Sequence, residues 1–231
     1  MHVERAVGAE RAGQTVYVYE WPVRLWHWLN ALCITVLAAT GWLIGTAALP
    51  TPAGEAIDHF WFGYLRFAHF AAAQLFAVGL LGRIYWAFAG NRHAHQIFFV
   101  PLRDARFWRE VGAQLAWYAF LRPLPQRYLG HNPLAQLAIF FGFVLPAVFM
   151  LATGFALYSE GQGAGGWHDR AFGWLLPLLG GSQAVHTWHR LGMWALVCFS
   201  IAHVYMVLRE DLLSRQTIID AMVTGWRTFR R

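Results

Sequence analysis

The stretch VHTWHRLGMWALVCFSIAHVYMVL, residues 185–208, decides the fold. Its only charged side chain is Arg190. A bilayer core takes about 20 mostly apolar residues in a helix, and this stretch is long and apolar enough to cross one. Three similar runs precede it, at about 25–49, 67–89 and 134–158. The expected fold is therefore all-α: an integral membrane four-helix bundle in one membrane domain spanning residues 1–231. Pro146 inside the third run predicts a kink rather than an end, because neighbouring helices can satisfy the carbonyl it frees.

Composition agrees. Hydrophobic residues make up 58% and charged residues only 13%, against about a quarter charged in soluble domains. All 18 basic residues are arginines, and the net charge is +6. They sit between the apolar runs, so they read as topology-setting charge and not as a nucleic-acid surface. The N-terminal segment, the 90–133 connection and the C-terminal tail hold 14 of them, including Arg5, Arg11, Arg215, Arg230 and Arg231. Arg83, near the end of the second run, joins that side. Arg66, Arg170 and Arg190 fall on the other. Positive residues stay cytoplasmic, so both termini are expected there, with the 50–66 and 159–184 loops outside. The first fifteen residues are polar and lack a secretory signal's apolar core. The first spanning helix is expected to double as the targeting signal.

Two smaller features stand out. Residues 103–122 place Phe107, Val111, Leu115 and Tyr118 at helical spacing. They read either as a helix along the cytoplasmic interface or as a surface helix packed on the bundle. The 159–184 connection is Gly-rich, as binding or mobile loops often are. Cys33 and Cys198 lie inside apolar runs and suit no disulfide, zinc site or iron–sulfur cluster.

Of eleven histidines, His2, His59, His93, His95, His131 and His168 fall in loops or tails and read as plain polar residues. His93 and His95 could bind a metal, but two close histidines without a third ligand are a weak signal. His27, His69, His186, His189 and His203 lie in the spanning runs, where ionisable groups are costly and mark function. His27 is near the cytoplasmic start of the first run. His69 and His189 are near the outer starts of the second and fourth. His203 lies 14 residues beyond His189, about 21 Å deeper at about 1.5 Å per residue. The histidines thus fall into two pairs at two depths, His69 with His189 and His27 with His203. Fourteen residues is just under four turns, so His189 and His203 share a face, whereas His186 is turned about 100° from His203. His189 is the preferred outer ligand and His186 the alternative.

Two imidazoles on opposite sides of a macrocycle hold an electron-transfer haem. No Cys-x-x-Cys-His motif occurs, so the expected cofactors are two haems of the b type. Gly41, Gly79, Gly82, Gly154 and Gly192 could let helices approach the rings, or could serve ordinary helix packing. Arg24, Arg66 and Arg190 lie at the right depth for propionates, or for snorkelling to the interface.

These residues carry a resemblance. The segments VYVYEWPVRLWHWLNALCITVLAATGWLIG, RFAHF, GFALYSEG, HTWHRLGMW and AHVYMVLRED, within about 16–211, are similar to the b-type cytochrome subunit of membrane-bound nickel–iron uptake hydrogenases. That subunit belongs among the prokaryotic di-haem cytochrome b561-like proteins. The resemblance implies the same four ligands, His27, His69, His189 and His203. It implies as partners the small and large subunits of the hydrogenase, with the small iron–sulfur subunit docked outside, and a bacterial inner-membrane location. Electrons would enter at the His69/His189 haem, cross to the His27/His203 haem and reduce quinone near the cytoplasmic side. Tyr19, Arg24 and Tyr205 are the quinone candidates by depth. The chain itself would break no substrate bonds.

Other readings are a formate dehydrogenase cytochrome, a proton-relay transporter, a membrane metalloenzyme and a bare membrane anchor. The spanning runs hold no mid-depth carboxylate for a relay, and no His-Glu-x-x-His occurs for a metalloenzyme. An anchor needs no paired histidines.

Overall fold

The computed structural model describes residues 15–46, 60–123, 126–163, 165–214 and 216–229. His2, His59, Arg5, Arg11, Arg215, Arg230 and Arg231 lie outside those residues, as does most of the 50–66 connection. Four helical stretches are long and apolar enough to cross a membrane: α1 (Trp21–Thr46), α2 (Trp61–Ala89), the third stretch Pro133–Gln162, and α7 (Ser182–Ser214). The third is built from α4 (Pro133–Ile139), a π-helical turn (Phe140–Val144) and α5 (Leu145–Gln162). Pro146 has no N–H to give the carbonyl one turn back, and the wider π turn falls just ahead of it. Large apolar side chains such as Leu32, Val78, Leu81 and Ile201 stay exposed. A helix that is apolar on its outer side suits hydrocarbon and not water.

The chain forms two compact units, and the long helices contribute segments to both. One unit comprises 1–27, 81–144 and 199–231. Its polar end is heavily hydrogen-bonded. Strand β1 (Thr15–Tyr17) pairs antiparallel with β2 (Trp226–Thr228), Val16 opposite Arg227. This pairing sets residues 15–17 beside residues 226–228. Apolar spacing gave no sign of these three-residue strands. Behind them Val18, Tyr19, Val23, Ala94 and Ala221 form a buried cluster. Glu20 accepts from Trp86 Nε1 at 3.0 Å and from the Asn91 amide at 2.8 Å. Arg227 is buried as well: its Nη1 donates to the Gly130 carbonyl and its Nη2 to Gln216 Oε1, both at 2.8 Å.

Helix α3 (Ala105–Tyr118) starts at Asp104, whose carboxylate accepts from the Arg106 amide at 2.8 Å. It packs against α4. Its buried face holds Phe107, Glu110, Val111, Gln114 and Trp117, while Leu115 points outward. Glu210 near the end of α7 accepts from Tyr118 Oη at 2.8 Å and from Asn132 Nδ2 at 3.1 Å, tying three helices together.

The other unit comprises 28–80 and 145–198. Its Gly-rich connection is partly helical, with a π turn at Asp169–Gly173 and the short α6 (Leu175–Leu178). Phe172 stacks on Phe155 of α5 at 5.2 Å, and His168 lies 5.0 Å from the Tyr158 ring. Aromatic packing therefore holds a segment whose glycine content alone suggested a binding surface or a mobile loop.

Gly225 closes α8 (Ile218–Thr224) with φ of 91°, and its carbonyl accepts from the Val18 amide at 2.8 Å. A β-carbon there would lie 2.7 Å from the Tyr19 carbonyl oxygen. Gly225→Ala is expected to cost about 1–2 kcal/mol from the left-handed backbone alone, and more from the clash. The check is a lowered melting temperature in detergent together with faster proteolysis of the N-terminal strand.

Candidate functional site

Each unit brings two of the spanning histidines together. In the first, His27 of α1 and His203 of α7 have ring centres 6.4 Å apart. A metal–imidazole bond is about 2 Å and the ring centre lies roughly 1 Å beyond the nitrogen, so two imidazoles on opposite sides of one metal have centres about 6 Å apart. The observed spacing matches that. Phe199, one turn before His203, stacks on its ring at 5.7 Å and 16°.

The second unit holds His69 of α2 and His189 of α7. Each is held by a threonine from another helix. Thr40 Oγ1 of α1 lies 2.9 Å from His69 Nδ1, and Thr153 Oγ1 of α5 lies 2.9 Å from His189 Nδ1. A hydroxyl has one hydrogen to give. Thr40 gives it to the Val36 carbonyl at 2.6 Å, and Thr153 to the Phe149 carbonyl at 2.8 Å. Each threonine must therefore accept from its histidine, which places the ring hydrogen on Nδ1 and leaves Nε2 as a bare lone pair for a metal. The next residue in each case is glycine. A β-carbon at Gly41 would lie 3.2 Å from His69 Cε1, and one at Gly154 would lie 3.2 Å from His189 Cε1. These threonines escaped the sequence reading, although Ala-Thr-Gly occurs twice, at 39–41 and 152–154.

His186 is exposed, and its Nδ1–H donates to the Ser182 carbonyl of its own helix at 3.0 Å. His93 and His95 find no third ligand: among the described residues no group of three His, Cys, Asp or Glu side chains could hold a metal ion.

The arginines divide differently from expectation. Arg66 is exposed over the Phe70 ring, and Arg190 is exposed and donates to the Gly45 carbonyl. Arg24 donates to the Val223 carbonyl at 2.6 Å, which ties α1 to α8. Arg83, read from the sequence only as a topology marker, is 2% exposed. It donates to the Ala94 carbonyl and lies 5.5 Å from the Trp26 ring centre and 5.2 Å from that of Phe98. Its Nε and Nη1 are buried without a hydrogen-bond partner. A guanidinium with two orphaned donors, beside the neighbour of His27, suits an acidic group such as a haem propionate. The signal was present in the sequence: Arg83 is the only charged residue in the run 67–89 and follows His69 by 14 positions.

Tyr19 is buried, with its hydroxyl 3.4 Å from His131 Nδ1. Burial pushes its pKa up to about 12, so it stays a donor at neutral pH. His131 is pushed down to about 3, by burial first and then by Arg83 and Arg227. It stays neutral. Tyr205 is 61% exposed.

The family model described as prokaryotic cytochrome b561 matches residues 18–225. The chain belongs to that family. Cytochromes of this type hold haem b, and the paired imidazoles, the bare Nε2 atoms and the orphaned guanidinium all fit that group. The cytochrome is also similar to curated relatives called probable nickel–iron-hydrogenase B-type cytochrome subunits. The relative in Azotobacter chroococcum is 57% identical over 220 residues, 95% of this chain and 91% of that one. The relative in Cupriavidus necator is 56% identical over 227 residues, 98% and 93% of the two chains. The hydrogenase 1 relative in Escherichia coli K12 is 47% identical over 223 residues, 93% and 91%.

The two candidate ligands one turn apart can be separated directly. His189→Ala is expected to lower the haem b bound per chain, whereas His186→Ala leaves it unchanged. A pyridine haemochrome assay on the purified variants reads the difference.

Proposed function

We propose that this cytochrome holds two haems b, one between His27 and His203 and one between His69 and His189. In that state it passes electrons from a nickel–iron hydrogenase to membrane quinone. The observation that carries the reading is the 6.4 Å spacing of the His27 and His203 rings in one compact unit, with His69 and His189 together in the other, each against a threonine at 2.9 Å. When bound, haem supplies one-electron redox chemistry. The four histidines would supply the ligand nitrogens, the apolar helices a low-dielectric surround, and Arg83 a buried positive charge.

The partner follows from the relatives, which are called hydrogenase cytochrome subunits. The hydrogenase small and large subunits are the proposed partners, with the small subunit docked on the outer face near the His69/His189 site. The arginine distribution supports cytoplasmic termini in a bacterial inner membrane. Quinone would then be reduced on the side of the His27/His203 site. Tyr19 is the better headgroup donor of the two tyrosines, because it is buried and stays protonated, whereas Tyr205 points outward. With hydrogen oxidised outside and protons for quinone taken from the cytoplasm, turnover stores membrane potential; one charge moved against about 100 mV is worth about 2.3 kcal/mol.

The test uses the purified hydrogenase–cytochrome complex. Two haems b per cytochrome chain are expected, both reduced by hydrogen. In liposomes containing quinone, hydrogen addition should generate a potential. A single haem per chain, or quinone reduction without a potential, overturns the corresponding part. Tyr19→Phe is expected to slow quinone reduction several-fold with haem reduction by hydrogen intact.

A further inference from the structure

We infer that Thr40 and Thr153 are positioning residues that set the reduction potential of one haem, the one held by His69 and His189. The inference rests on the reading that these two histidines bind a haem, and it goes further by assigning the electronic control of that site to two residues outside the ligand set.

The two threonines are used alike. Each spends its only hydrogen on the carbonyl four residues back in its own helix, Val36 for Thr40 and Phe149 for Thr153. Neither hydroxyl can then turn round and donate to the ring. Each presents lone pairs to a histidine Nδ1 at 2.9 Å, and at His69 the Leu37 carbonyl also accepts from the ring, so the larger valine effect is expected at position 153. The glycine that follows brings Cε1, the carbon between the two ring nitrogens, to 3.2 Å from where a β-carbon would stand. Both faces of the arrangement are thereby fixed: the hydroxyl sets where the ring hydrogen sits, and the glycine sets how close the ring lies to the helix. The device occurs on α1 and again on α5, each time against a histidine of another helix, so both histidines of the pair receive it.

The electronic consequence has a definite sign. A hydrogen bond accepted from Nδ1–H draws that hydrogen outward and leaves more negative charge on the ring. The opposite nitrogen becomes a more basic ligand. A more basic ligand favours the oxidised, more positive metal over the reduced one, so the one-electron couple moves to lower potential. Thr40 and Thr153 therefore hold this haem lower than bare imidazoles would. Both lie in the unit that contains His69 and His189 and not in the unit that contains His27 and His203, so the effect falls on one haem. A lower potential at the entry haem gives electrons a downhill step toward the other.

The experiment is a potentiometric titration of the purified hydrogenase–cytochrome complex carrying Thr40→Val, Thr153→Val, the double substitution, or Thr→Ser at each position. Haem per chain is measured alongside. Valine keeps the shape and removes the acceptor; serine keeps the acceptor. In each valine variant one of the two haem components is expected to become easier to reduce. Its oxidised-to-reduced ratio at fixed potential should fall about threefold to tenfold, tenfold being 59 mV for one electron. The double variant should shift further, the other component should stay in place, and serine should restore the parent value. Full haem content with unmoved potentials would show that the threonines only pack, and would overturn the inference while leaving the haem assignment standing. Loss of that haem in the valine variants, with serine retaining it, would make the hydroxyl a binding requirement and also overturn the tuning role. Two haems remaining in both His69→Ala and His189→Ala would instead remove the underlying ligand assignment.

Discussion

A neutral imidazole in hydrocarbon carries one donor and one acceptor, and neither can be left to water. At His69 and His189 the donor goes to a threonine whose own hydrogen is already committed to a helix carbonyl. The acceptor is left for a metal. The same need to satisfy every polar group internally makes the spans helical and confines the remaining irregular backbone to the polar ends. It also accounts for Thr40 and Thr153, each standing beside a histidine of another helix. At His69 and His189 cofactor site and fold obey one rule: the ring donor goes to a recipient in a neighbouring helix.

Much of this was legible in the residues. Four long apolar runs with arginines between them leave little choice of architecture, and the 14-residue interval from His189 to His203 puts both on one face of α7. What the pattern could not carry were interactions between residues distant in sequence. Thr40 and His69 are 29 positions apart and Thr153 and His189 are 36 apart. A threonine in an apolar helix reads as packing until its partner is known. Arg83 was visible as a lone charge, but counting it toward topology hid its burial. Depth placed Arg24 near a haem but could not show that its Nη1 is bonded to the Val223 carbonyl of α8. Depth fixes the height of a side chain and not the neighbour it chooses.

The two histidine sites are built by different means. His203 is steadied by an aromatic ring one turn earlier in its own helix, a neutral contact that leaves the electronics of the ring nearly alone. His69 and His189 are steadied by hydroxyls on other helices, contacts that fix both orientation and charge distribution. One scaffold of four helices thus surrounds its two histidine pairs with contacts of dissimilar character.

The short ladder between residues 15–17 and 226–228 joins the first and the last described segments of the chain. During synthesis the first strand emerges long before its mate, and it can pair only after all four crossings have been threaded and α8 has formed. A chain stalled before that point exposes unpaired strand edges and an uncovered apolar patch around Val18 and Ala221. The smallest piece of secondary structure therefore acts as a latch that closes on a finished molecule and leaves an unfinished one open to proteolytic disposal.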